Sequence, residues 1–150
     1  MNYLDTSALI KRFVLERGSQ MVAAMVEREG PIATATIAYA EVHAGLARKR
    51  REHDLSSVDY DTKREQFEGD WGTYVRLDLG QEILQMTRDL VARHPLRAAD
   101  AIHLASALTL RTALGQTVRF VAADDRLLRA AEAERLPTLD VERGPGPTTA

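Results

Sequence analysis

Along the chain, short unbroken runs of apolar residues alternate with longer stretches in which apolar positions return every three or four residues, the signature of buried strands alternating with amphipathic helices. The first run, Asn2-Tyr3-Leu4, stops at Asp5 and passes through Thr6 and Ser7 into a helical pattern from Ala8 to Leu15. Strand-like runs follow at Ile32-Ala33-Thr34, Tyr74 to Leu77, Val118 to Ala122 and Leu136 to Val141. Between them the spacing predicts helices from Gln20 to Arg28, from a Thr36 cap to about Arg51, from Ser56 through Trp71, from Gln81 to Arg93, from Ala98 to Leu108 and from Arg126 to Ala131. Gly18, Glu29-Gly30-Pro31 and His94-Pro95 punctuate these elements. Such alternation predicts an α/β domain with a central parallel sheet of about five strands covered on both faces. One domain is expected over residues 1–142, with a flexible tail over 143–150, where Gly and Pro dominate.

Composition narrows the function classes. At 150 residues the chain can bury a core without staples, and having no cysteine it has neither disulfides nor a thiolate metal site. No signal segment and no run long enough for a membrane span is visible, so a cytoplasmic, non-membrane protein is expected. A formal charge of −2 rules out a generally basic nucleic-acid coat and leaves only local basic patches. The densest is Arg48-Lys49-Arg50-Arg51 at a helix C-terminus, either a solvated tip that complements the dipole or a grip on a phosphate backbone. Lys11, Arg12 and Arg97 are further candidates for an RNA path. Tyr60, Phe67 and Trp71 share one helical stripe and are read as core or subunit contact rather than a base-stacking platform.

Four carboxylates have awkward surroundings. Asp5 and Asp124 each stand where a strand hands over to a helix, a position that also suits a plain helix cap. Glu41 shares a helix face with Ile37, Ala40, Ala44, Gly45 and Arg48, and is either at the edge of that face or paired within it. Asp100 lies in the first turn of a helix apolar on nearly every side, with His103 three residues on, read as an interior histidine or a ligand. If the strands of Asp5 and Asp124 are neighbours, their ends open on one edge, and helices over that edge can deliver the other two acids. At about 5 Å and an effective dielectric near 20, each ionised pair repels by roughly 3 kcal/mol. Such a cluster holds protons or a cation. Oxygen ligands favour Mg²⁺ or Mn²⁺, and the matching chemistry is metal-assisted phosphodiester hydrolysis.

The motifs Tyr-Leu-Asp5-Thr-Ser-Ala-Leu, Ala-Tyr-Ala-Glu41-Val-His-Ala-Gly-Leu, Arg-Ala-Ala-Asp100-Ala-Ile-His-Leu-Ala-Ser-Ala and Phe-Val-Ala-Ala-Asp124-Asp-Arg-Leu-Leu resemble the four acid motifs of PIN-domain ribonucleases. More narrowly, the chain resembles the VapC toxins of type II toxin–antitoxin systems, from Tyr3 to about Val141. The resemblance implies a three-layer α/β/α PIN-like fold and a Mg²⁺- or Mn²⁺-dependent endoribonuclease. It also implies a homodimer and a cognate antitoxin that inhibits it, with DNA engaged only indirectly through that antitoxin. By the same likeness Asp5, Glu41, Asp100 and Asp124 bind metal and carry catalysis, and Thr6 or Ser7 supports the first acid or a water. One departure is Ala122, where the family often has Thr or Ser, which leaves Asp125 beside Asp124 as an alternative fourth acid.

Two other functions fit part of the pattern. A phosphatase or receiver domain also places aspartates at strand ends, but it wants a second acid beside the first and a late lysine. Here Asp5 is followed by Thr6 and Ser7, and no lysine follows Lys63. A non-catalytic RNA- or partner-binding module retaining a structural metal site is the second alternative.

Overall fold

Asn2–Leu4 (β1) forms the middle strand of a five-stranded sheet, paired in parallel on one side with Ile32–Ala35 (β2) and on the other with Arg119–Ala122 (β4). Val75–Leu77 (β3) and Thr138–Asp140 (β5) complete the order β3-β2-β1-β4-β5, every neighbour parallel. The computed structural model describes residues 1–144. The helices are Thr6–Leu9 (α1), Ser19–Arg28 (α2), Ile37–Arg51 (α3), Ser57–Trp71 (α4), Gln81–Arg93 (α5), Ala98–Leu114 (α6) and Asp125–Ala133 (α7). They cover both faces of the sheet, giving the three-layer α/β/α arrangement and the five strands that the pattern predicts.

Side-chain alternation along β1 and β4 sorts the core into two halves. Tyr3 and Phe120 face a layer built by α5, α6 and α7, with Leu90, Leu104 and Leu127 buried there. Leu4 and Val121 face the other, built by α1 to α4, where Leu9, Phe13, Val42, Leu46 and Phe67 are buried. Each such side chain contributes roughly 1.5–3 kcal/mol by leaving water. Tyr60 and Phe67 are core residues, Phe67 lying edge-on to Phe13 at 5.3 Å. Helix α6 needs its apolar circumference because it packs against the sheet on one side and α5 on another.

The strand order matters for function. The chain leaves β1 toward β2 on one side and returns through α6 to β4 on the other, so the connections diverge between β1 and β4. At that switch point the crevice at the strands' carboxyl ends is left open. Asp5 donates its N–H to the Val121 carbonyl at 3.1 Å, so the two chains leave the sheet together.

Several details differ from the pattern, among them α6, expected to end at Leu108, which runs on to Leu114. The helix expected from Ala8 to Leu15 is α1 followed by a 3-10 turn over Ile10–Arg12. Beyond it Phe13 is buried and Leu15 is exposed, so the turn and not a longer helix meets the core. Arg143 pairs with Asp125 and Asp140, and Gly144 bridges to Asp140. The remainder of the expected tail, residues 145–150, lies outside the described residues.

Candidate active site

Asp5 is both helix cap and buried acid. Its Oδ1 accepts the Ala8 N–H at 3.0 Å, and the Ser7 hydroxyl donates toward both carboxylate oxygens, at 2.7 and 2.9 Å. Ser7 Oγ also accepts the N–H of Ala123 at 3.0 Å, so one hydroxyl ties the end of β1 to the turn after β4. Only 3% of Asp5 is exposed. Burial pushes its carboxyl from 3.8 up to about 6, against the pull of the His103 charge and the Ser7 and Ala8 donors, while the Asp100 charge pushes it further.

Glu41 projects from α3 and is paired rather than free at the edge of its face. Thr6 Oγ1 donates to its Oε1 at 2.8 Å, and His103 Nε2 lies 2.8 Å from the same oxygen. Burial would raise its pKa, but the hydrogen bonds and charge of His103, with Thr6 and Arg97 behind them, hold it below the usual value. His103 is 2% exposed, and its Nδ1 meets the Tyr3 hydroxyl at 2.8 Å. It is an interior histidine with both ring nitrogens engaged. Tyr3 is the partner that sequence reasoning missed. The available signal was spacing: Tyr3 and Asp5 share one side of β1, as Asp100 and His103 share one face of α6.

Asp100 stands in the first turn of α6, and Asp124 caps α7 through the Leu127 N–H at 3.0 Å. Burial raises the Asp100 pKa, the Asp124 and Glu41 charges raise it further, and Arg97 and His103 partly offset them. Asp125 turns the other way, toward Arg129 at 3.1 Å and Arg143 at 3.4 Å. Asp5, Glu41, Asp100 and Asp124 thus line one cleft of about 470 Å³, together with Thr6, Ser7, His103, Arg48 and Arg97. On α3, Glu41, Ala44, Gly45 and Arg48 supply one wall at helical spacing. A Cβ on Gly45 would come within 2.6 Å of Ile10 Cδ1, so the missing side chain lets α3 approach the 3-10 turn.

The basic residues divide. Arg48 and Arg97 reach the cleft, Arg97 with 85% of its side chain exposed and 3.6 Å from Asp100. Lys11 does not stand as a free cation for RNA: it is 4% exposed and bound to Glu16 at 3.1 Å and Glu142 at 2.9 Å. Arg12 pairs with Asp70 and Glu27 away from the acids, Lys49 with Glu16, and Arg50 lies over the Tyr60 ring at 4.2 Å. Arg51 is exposed at the end of α3.

Four carboxylates and two hydroxyls, without sulfur, form a donor set suited to a hard divalent cation. Among the described residues, no three acidic or histidine side chains stand close enough to share one ion as they are. The four acids share the cleft without forming a ready-made cage for an ion. Burial is the first cause of the raised Asp5 and Asp100 pKa values, and neighbouring carboxylate charges, Asp100 on Asp5 and Asp124 and Glu41 on Asp100, add to it; that charge is what a cation would neutralise.

The family model for the PIN domain matches residues 3–133. Ribonuclease VapC45 of Mycobacterium tuberculosis is 35% identical over 126 residues, covering 84% of this chain and 85% of its own. Among solved structures, FitAcB from Neisseria gonorrhoeae superposes with a TM-score of 0.67 at 15% identity, over 95% of this chain and 99% of that one. A toxin–antitoxin complex from Klebsiella pneumoniae gives 0.60 at 21% identity, over 83% and 87%. These two likenesses show the fold.

Proposed function

This chain belongs to the PIN-domain family, and on that premise we propose that it is a Mg²⁺- or Mn²⁺-dependent endoribonuclease, the toxin of a type II toxin–antitoxin pair. The observation that carries the reading is the cleft at the β1–β4 switch point, where the acids of two strand ends and two helices meet below two arginines. Asp5, Glu41, Asp100 and Asp124 would hold the ion. When bound, it would supply positive charge for the phosphodiester transition state and lower the pKa of water to give a nucleophile at neutral pH.

The chain's own residues do the rest. Ser7 and the Ala8 N–H fix the Asp5 carboxylate, and Thr6 fixes Glu41, so neither acid needs to reorganise fully when substrate arrives. Arg48 and Arg97 stand at the cleft with guanidinium groups suited to phosphate oxygens of an incoming RNA strand. In this reading Asp124 and not Asp125 is the fourth acid, because only Asp124 lines the cleft.

A protein relative named as a ribonuclease and a fold shared with a toxin–antitoxin complex support an antitoxin partner and an RNA substrate. Homodimerisation rests on the family resemblance. Among the described residues no helix is long and apolar enough to cross a membrane. A cytoplasmic location is part of the proposal, because the RNA substrate proposed here is met there.

The test is cleavage of a structured RNA by purified protein freed of any antitoxin. Scission is expected with Mg²⁺ or Mn²⁺, none in excess EDTA, and none from a folded Asp100→Asn variant. Scission that persists in EDTA contradicts the mechanism. RNA binding without scission in either ion favours a non-catalytic module instead.

A further inference from the structure

We propose that His103, steadied by the hydroxyl of Tyr3, is a positioning residue that presents Glu41 to the divalent cation. The inference rests on the metal-dependent reading above. Its basis is a hydrogen-bonded chain running from the central strand, through the interior of α6, to an acid on α3. Tyr3 and His103 are both essentially sealed from solvent, so no water competes for the bond between them.

The proton positions follow from the partners. Thr6 Oγ1 gives its proton to Glu41 Oε1 at 2.8 Å, and His103 Nε2 lies 2.8 Å from that same oxygen and 3.1 Å from Thr6 Oγ1, so the proton of the short N···O contact is on the nitrogen. Nε2 is therefore the donor to Glu41. Nδ1 meets the Tyr3 hydroxyl at 2.8 Å. Tyr3 sits in a stack with Phe120 at a centroid distance of 5.6 Å, which fixes its ring, and the hydroxyl in turn fixes the imidazole plane.

Both donors to Glu41, Thr6 and His103, converge on Oε1. Among the described residues no protein group donates to Oε2, and Glu41 lines the cleft, so that oxygen is left for an exogenous ligand. Two donors on one oxygen fix the rotation of the carboxylate. An acid on a long, half-buried side chain would otherwise sample rotamers that turn it away from Asp5 and Asp100. Outer partners that orient ligating side chains in this way commonly change metal affinity or activity by about 10–100-fold when removed.

The test compares the parent with Tyr3→Phe, His103→Leu and His103→Gln, the last keeping a side-chain N–H donor. Three quantities are measured: the Mn²⁺ dissociation constant by titration calorimetry without RNA, kcat and KM on RNA at saturating Mn²⁺, and the metal-free melting temperature. Expected are Mn²⁺ binding weakened about 3–10-fold in Tyr3→Phe and about 10–100-fold in His103→Leu, with partial recovery in His103→Gln. KM for RNA stays within about twofold, because a sealed histidine makes no phosphate contact, while kcat falls. Tyr3→Phe changes one oxygen atom and keeps the stack with Phe120, so it reports even if His103→Leu fails to fold. Folded variants that bind Mn²⁺ as the parent does overturn the inference alone. So does an affinity loss that tracks melting temperature, with glutamine no better than leucine. A parent that binds no Mn²⁺ overturns the metal reading itself, and this inference with it.

Discussion

Asp124 and Asp125 are adjacent in sequence and opposite in surroundings. One caps α7 and lines the cleft, and the other spends its charge on Arg129 and Arg143 outside it. Asp124→Asn is therefore expected to reduce RNA cleavage by at least about 100-fold, and Asp125→Asn to leave it within about threefold, in side-by-side kcat measurements. Equal losses would reassign the fourth acid. Asp5 carries a different expectation, because it is nearly sealed and its carboxyl is displaced from 3.8 to about 6. Ionising it in the folded, metal-free protein costs energy that the unfolded chain does not bear. At about 1.4 kcal/mol per pKa unit, Asp5→Asn should stabilise the metal-free protein at pH 7 by about 1–3 kcal/mol while ending cleavage. A metal-free asparagine variant less stable than the parent in urea unfolding would show that the Ser7 and Ala8 hydrogen bonds to the carboxylate outweigh its burial.

Strands and helices were legible in the chain to the extent that their signals are local. The five strands and Gln81–Arg93 follow from apolar runs and a Pro stop, and the Ser56 cap is present as a bond to the Asp59 N–H at 3.0 Å. What local pattern does not contain is the partner of a long side chain. Lys11 reads as an exposed cation beside Arg12, yet it is enclosed by Glu16, five residues away, and Glu142, beyond β5. The same holds for His103, whose partners sit on β1, α1 and α3. The Lys11 clip also has a pH signature. Burial raises the Glu16 pKa, but the hydrogen bonds and charges of Lys11 and Lys49 more than reverse this and leave it lowered. A carboxylate lowered on folding contributes stability above its unfolded value, near 4.5, and loses that contribution as pH falls through the folded value. Glu16→Gln is thus expected to lose about 1–2 kcal/mol at pH 7, with the gap to the parent closing below about pH 4.5 in urea unfolding. A gap unchanged down to pH 3 would mean that Glu16 packs but does not pair.

For the molecule as a whole, the sheet order decides where chemistry can happen. Order β3-β2-β1-β4-β5 leaves one crevice, between β1 and β4, and the acids separated by over a hundred residues in sequence open onto it. The net charge of −2 gives no broad basic face, so in the proposed function RNA is met through the two arginines at that crevice. The proposed reading has a cation joining these acids. Anomalous diffraction at the manganese edge, from crystals of the antitoxin-free protein soaked in Mn²⁺, asks this directly. A peak between Asp5 and Asp100, within reach of Glu41 or Asp124, is the expected result. Saturating Mn²⁺ that orders elsewhere on the protein, or nowhere in the cleft, would contradict it.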